Sequence, residues 1–130
     1  MMILPVALAA AGAAALVNLW LAIRVGQVRM AEKISVGDGG NPRLIARMRA
    51  QLNFAEYTPV VLILIALIEA AQGTQAWLWG VAALYVAGRI LHPFGMDGWM
   101  RGRMIATWIT LLSLLGLGGY ALVIVVLTRF

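Results

Sequence analysis

The sequence predicts an all-α membrane protein, a bundle of four transmembrane helices, and three observations carry that prediction. Of its 130 residues, 63% are hydrophobic and only 12% charged, whereas ordinary soluble domains carry about a quarter charged residues. Mean hydropathy is +0.93, more apolar surface than a soluble fold of this size can hide from water. The apolar residues also gather into four stretches separated by polar connections, and about 20 such residues suffice to cross a hydrocarbon core about 30 Å thick. The lipid bilayer is therefore the first partner implied, and residues 1–130 are expected to form one transmembrane domain.

The first stretch, about 3–23, contains no charge. No basic residues precede it, so it is expected to be a retained helix and not a cleaved signal. Ala7, Ala11 and Ala15 recur every fourth residue and give one face a smooth stripe of the kind that lets helices approach closely in lipid. A polar connection follows, from about Arg24 to Arg43. Its Gly37-Asp38-Gly39-Gly40-Asn41-Pro42 run reads as a turn, with glycines for positive φ and a proline to begin the next helix. It lacks the Lys-Ser/Thr ending and the preceding strand of a phosphate-binding loop. The second stretch, about 44–71, is uniformly apolar from Val60 to Ile68, but its first half holds Arg47, Arg49, Gln51, Asn53, Glu56 and Tyr57. The third, about 75–91, is apolar until Arg89 and His92, where Pro93 is expected to help close it. The fourth, about 103–127, has a glycine-rich middle at Gly116, Gly118 and Gly119.

A net charge of +5 and a pI near 10.8 would suit a nucleic-acid binder, but the positions of the charges argue against one. Arg24, Arg29, Lys33, Arg43, Arg47 and Arg49 fall in or beside one connection, and Arg101 and Arg103 in another. The connection between the second and third stretches has no basic residue. Basic residues in alternate connections are the positive-inside pattern, which puts both basic connections in the cytoplasm and both termini on the other side. Arg129 counts weakly against this orientation. With no cysteine in the chain, neither a disulfide framework nor a cysteine nucleophile is available.

Helix geometry gathers the polar residues of the second stretch. Arg49, Asn53 and Glu56 stand at i, i+4 and i+7, which is one face at 3.6 residues per turn, and Tyr57 flanks it. Ionisable groups within a span are costly and usually face a bundle interior or a wet cavity, paired with one another. A structural ion pair, Arg49 and Glu56 with each other or with a neighbouring helix, is the plain alternative to a ligand site. Arg89 and His92 end the third stretch at the same membrane face, and Arg103 opens the fourth there. More cations than anions converge on that layer, which suits an anionic ligand with several carboxylates. Arg43 and Arg101 read as snorkelling residues at the lipid headgroups.

Other chemistries fail on inventory. One histidine and no cysteine leave no ordinary zinc or transition-metal site, and Ser35 and Ser113 have no nearby base for a hydrolytic triad. His92 alone is more often a helix-end hydrogen-bonding group than a catalyst. A single basic layer at one face is not a transport pathway.

The run Arg49-Ala50-Gln51-Leu52-Asn53-Phe54-Ala55-Glu56-Tyr57-Thr58-Pro59 resembles the second-helix signature of the MAPEG family, membrane-associated proteins in eicosanoid and glutathione metabolism. Gly88-Arg89-Ile90-Leu91-His92-Pro93-Phe94-Gly95 is similar to the end of the third helix in bacterial members, and the Val36-Gly37-Asp38-Gly39-Gly40 turn to theirs. The resemblance covers essentially the whole chain; its second-helix motif is specific and its turn is weak.

The resemblance implies a homotrimer of four-helix subunits in a bacterial inner membrane, with glutathione bound between neighbouring subunits. Arg49, Asn53, Glu56 and Tyr57 match family residues that hold the tripeptide, Glu56 meeting its ammonium and arginines its carboxylates. Arg89 and His92 belong to the same layer, and the first-helix arginine of the family corresponds to Arg24 or Arg29. Arg103 matches the arginine that approaches the glutathione sulfur in eicosanoid-forming members. A guanidinium there stabilises the thiolate of a thiol whose ordinary pKa is about 8.5. The implied activity is a glutathione-dependent transferase or peroxidase acting on hydrophobic small-molecule electrophiles. The sequence departs from some members in having His92 and Met96 where ligand-contacting tyrosines stand. The family also includes a binding protein without catalytic activity, so a non-catalytic membrane binding or scaffold protein is the alternative.

Overall fold

The structure, a computed structural model, describes residues 3–130; Met1 and Met2, the first residues of the expected domain, lie outside the described residues. Four α-helices follow one another: α1 (Pro5–Glu32), α2 (Pro42–Gln72), α3 (Ala76–Met96) and α4 (Met100–Arg129). There is no strand among the described residues. Helices α1, α2 and α4 are each long and apolar enough to cross a membrane. Helix α3 has 21 residues, about 31 Å at 1.5 Å per residue, with Arg89 and His92 interrupting its apolar run.

Every helix outruns the apolar stretch that announced it, most of all α1, which continues nine residues past Ile23. An apolar run marks where lipid ends, not where hydrogen bonding ends. Val25 and Val28 extend the packed face one turn further by burying against Leu44 of α2. Lys33 then ends α1 in the left-handed conformation at φ 56°. The connection is stitched by its own side chains. Arg29 donates to the carbonyls of Gly37 at 2.8 Å and Ile34 at 3.3 Å, and Asp38 accepts from the Gly40 amide. Gly37, Gly39 and Gly40 all have positive φ, as their turn reading requires. Asn41 caps α2 by accepting from the Leu44 amide at 3.0 Å, with Pro42 in the first turn, where its missing N–H costs nothing.

Pro93 does not close α3, contrary to expectation: the helix runs on to Met96. Proline removes only its own donor and constrains the residue before it. Here the remaining turn is completed by the Asp97 amide donating to the Pro93 carbonyl at 3.1 Å.

The core begins as a cluster drawn from all four helices: Val6 and Ala10 of α1, Val61, Ile65 and Ile68 of α2, Leu78, Ala82 and Tyr85 of α3, and Leu117 of α4. The backbones of α2 and α3 each approach all the others, whereas those of α1 and α4 do not come close to one another. The buried face of α1 carries Val6, Ala10, Ala14, Val17 and Leu21. The predicted stripe is therefore offset from the packed face, and its Ala11 and Ala15 are exposed. Leu8, Leu16, Leu115 and Leu122, each about 70% exposed, form part of an outer surface that only hydrocarbon suits.

At the end of the bundle away from the basic connections, Glu69 is buried with 1% of its surface exposed. Its two carboxylate oxygens accept from the amides of Val6 and Ala7, both at 3.0 Å, and from the Thr74 hydroxyl at 2.9 Å. The amides are orphan donors of the first turn of α1, so a carboxylate of α2 caps a helix 62 to 63 residues away in sequence.

Candidate functional site

The polar face of α2 is anchored through a guanidinium on α3. Arg89 is 2% exposed and donates to Asn53 Oδ1 at 2.7 Å and to Thr110 Oγ1 on α4 at 3.0 Å. Its guanidinium also stands 5.8 Å from the ring centre of Phe54. One turn above, Thr58 and Tyr85 share a buried hydrogen bond of 3.0 Å. These contacts tie α2, α3 and α4 together by polar bonds, which are expensive to break where water is scarce.

Against this anchor lies a cavity of about 320 Å³ lined by Arg49, Leu52, Asn53 and Glu56 of α2, His92 and Met96 of α3, and Arg103 and Thr107 of α4. Five of the predicted site residues thus meet in one space: Arg49, Asn53, Glu56, His92 and Arg103. Two guanidinia, one carboxylate, an amide and an imidazole face it, so it offers complementary groups to a zwitterion with more negative than positive charge. Arg49 and Glu56 form no ion pair among the described residues. His92 is 3% exposed, and its Nδ1 is buried without a partner.

The other predicted residues stand elsewhere. Arg89 does not line the cavity; its Nη1 and Nη2 are engaged by Thr110 and Asn53 while its buried Nε has no partner among the described residues. Tyr57 is half-buried beside it and does not line it. Arg29 lines a larger neighbouring groove of about 780 Å³ between α1 and α2, together with Asn18, Asp38 and Gln51. Arg49 and Leu52 border both spaces and form the ridge between them. Of the two arginines the sequence left open, Arg24 is buried in an ion pair with Asp97, while Arg29 faces the groove.

Arg103 is held by close helix contact. A Cβ on Gly95 would come within 2.3 Å of the Arg103 backbone nitrogen, so only glycine lets α3 and α4 approach this closely at their joined end. The sequence reading missed Thr107, Thr110 and Asp97. The two threonines gave no signal apart from spacing, lying four and seven residues after Arg103 on a helix. Asp97 was visible as the lone acid in a basic connection.

The MAPEG family model matches residues 7–123. The chain belongs to the MAPEG family. All the residues of the cavity fall inside the matched span. Two similar proteins are the inner membrane protein YecN of Escherichia coli strain K12 and its counterpart in Escherichia coli O6:H1 strain CFT073. Each is 32% identical over 93 residues, covering 68% of this chain and 70% of the relative. The helices and the family together make this MAPEG protein an integral membrane protein.

Proposed function

We propose that this MAPEG protein is a glutathione-dependent transferase or peroxidase that acts on hydrophobic electrophiles in an inner membrane. The observation that carries the reading is the convergence of Arg49, Asn53, Glu56, His92 and Arg103 on one cavity. Glutathione brings two carboxylates, one ammonium and a thiol; the cavity offers two arginines, one glutamate and neutral hydrogen-bonding groups. Glu56 takes the ammonium, Arg49 a carboxylate, and Asn53, already oriented by Arg89, uses its amide N–H. Arg103 stands by the sulfur and stabilises the thiolate once its proton has left to solvent. The thiolate then attacks an electrophilic carbon: a sulfur–carbon bond forms as the leaving-group bond breaks. In this way a chain without cysteine carries out thiol chemistry.

At about 320 Å³ the cavity is at the small end of ligand pockets, which run from about 300 to 1,000 Å³. Arg29 and Gln51 face outward on the far side of the Arg49 ridge. Both features support a site completed by a second copy, in a homotrimer. The inner-membrane setting is taken from the similar inner membrane protein YecN.

Isothermal binding of reduced glutathione to the detergent-purified oligomer tests the reading. The expected result is saturable binding that weakens about ten- to a hundredfold in Glu56→Ala, the equivalent of a charge-assisted hydrogen bond of about 1.5–3 kcal/mol. Arg103→Ala is expected to keep binding but lose the ultraviolet absorbance of the bound thiolate. A folded oligomer that binds no glutathione would overturn the proposal. Met96, lining the cavity where related proteins place a tyrosine, favours a second reading as a binding protein without turnover. Binding and thiolate formation without conversion of any electrophile would decide for it.

A further inference from the structure

The α3–α4 turn carries an ion pair that the catalytic proposal does not use. Arg24 of α1 donates through Nη2 to Oδ2 of Asp97, the residue that ends α3. The Arg24 side chain is 10% exposed and that of Asp97 33%. The guanidinium is also flanked by two aromatic rings, 5.2 Å from the centre of Trp20 on α1 and 5.4 Å from that of Phe94 on α3. It is therefore packed as well as paired, and guanidinium suits such a position where an ammonium would not.

The backbones of α1 and α4 do not come close to one another. The turn has only Asp97, Gly98 and Trp99 between the two helices. Arg103 begins one turn beyond it, with its amide donating to the Trp99 carbonyl at 3.1 Å. Trp99 in turn lies over Gly102, where a Cβ would come within 2.4 Å of the indole. A path thus runs from Arg24 to Asp97, along the three-residue turn to Trp99, and from the Trp99 carbonyl to the backbone of Arg103. Gly95 fixes how closely that backbone approaches α3, and Asp97 fixes the turn against α1.

We propose that the Arg24–Asp97 pair is a positioning device for Arg103, through which α1 sets how closely the Arg103 guanidinium approaches the reacting sulfur. This inference rests on the glutathione reading, and it assigns a role to an arginine that lies outside the cavity. Neither Arg24 nor Asp97 lines the cavity, so their loss leaves the α2 clamp of Arg49, Asn53 and Glu56 intact.

The test uses Asp97→Asn, Arg24→Gln and the exchanged pair Arg24→Asp with Asp97→Arg in the intact detergent-solubilised oligomer. Three quantities are read: glutathione affinity, the pH midpoint of the bound thiolate absorbance, and amide hydrogen exchange across residues 97–107. The expected result for both single variants is affinity within about threefold of wild type, which is under 1 kcal/mol. Their thiolate midpoint rises toward that of free glutathione, and exchange at 97–107 becomes faster while that of α2 does not change. The exchanged pair moves the midpoint back toward wild type, a recovery that general loosening of the fold would not give. Wild-type midpoints in both single variants, alongside a raised midpoint in Arg103→Ala, would overturn this proposal and leave the glutathione reading standing. Absence of bound thiolate in the wild type itself would overturn both.

Discussion

Glu69 shows how a single side chain can be decisive in lipid without belonging to any site. Buried among apolar residues, it would be expensive as an unpaired charge, yet three donors surround it and two are the first free amides of α1. A carboxylate at a helix N-terminus also meets the favourable end of the macrodipole. Glu69→Ala leaves those amides buried and unpaired, at a cost of about 1–3 kcal/mol. Glu69→Gln keeps one acceptor oxygen and is expected to fall between the two. Thermal unfolding midpoints in detergent should rank wild type, Gln, then Ala; equal midpoints for wild type and Ala would mean that the cap contributes nothing. Nothing local in the sequence pointed to this role, because the partner amides lie more than 60 residues away. The shared face of the candidate residues on α2 was legible for the opposite reason. Arg49, Asn53 and Glu56 share one face by helix periodicity alone, and the structure lines one cavity with all three. Arg89 was expected in the same layer; its bond to Thr110 holds it outside the cavity lining, a placement that only the packing of α4 reveals.

At the scale of elements, hydropathy counted the helices and misjudged their ends. Apolar runs report the lipid-facing and core-facing length, whereas helix ends are decided by local hydrogen bonds such as the Asn41 cap and the left-handed Lys33. The join of α3 to α4 is the case that matters for the site. Gly95 was read only as part of a family motif, yet its missing side chain sets the distance between the two helices beside Arg103. Gly95→Ala puts a methyl group against backbone that cannot rotate away, so the helices must part by a few tenths of an ångström or more. Overpacking of this kind costs about 1–3 kcal/mol, and it displaces Arg103 while leaving α2 in place. The expected outcome is a lowered unfolding midpoint, with loss of bound thiolate exceeding loss of glutathione affinity. If affinity and thiolate fell in equal proportion, Gly95 would be serving the whole cavity and not Arg103 in particular.

At the scale of the whole molecule, the charged residues and the cavity sit at the same end of the bundle, and the orientation in the membrane decides which compartment reaches them. Arg29, Arg43, Arg47 and Arg49 flank one connection, Arg101 and Arg103 another, and the connection at Gly73–Gln75 has none. Arginine and lysine within about 15–20 residues of the spans govern topology, so the expected orientation puts the basic end in the cytoplasm and both termini on the other side. A soluble thiol would then enter from the cytoplasm, while a hydrophobic electrophile arrives through the exposed apolar flanks. The absence of cysteine makes the prediction simple to check, since one introduced thiol is the only one present. Ser35→Cys in the first connection and Thr128→Cys near the C-terminus are both at exposed positions. In intact cells an impermeant maleimide should label Thr128→Cys and not Ser35→Cys, and in inverted vesicles the pattern should reverse. Labelling of Ser35→Cys in intact cells would turn the molecule over, and the Arg129 charge would then have outweighed both connections. The cavity would in that case open away from the cytoplasm.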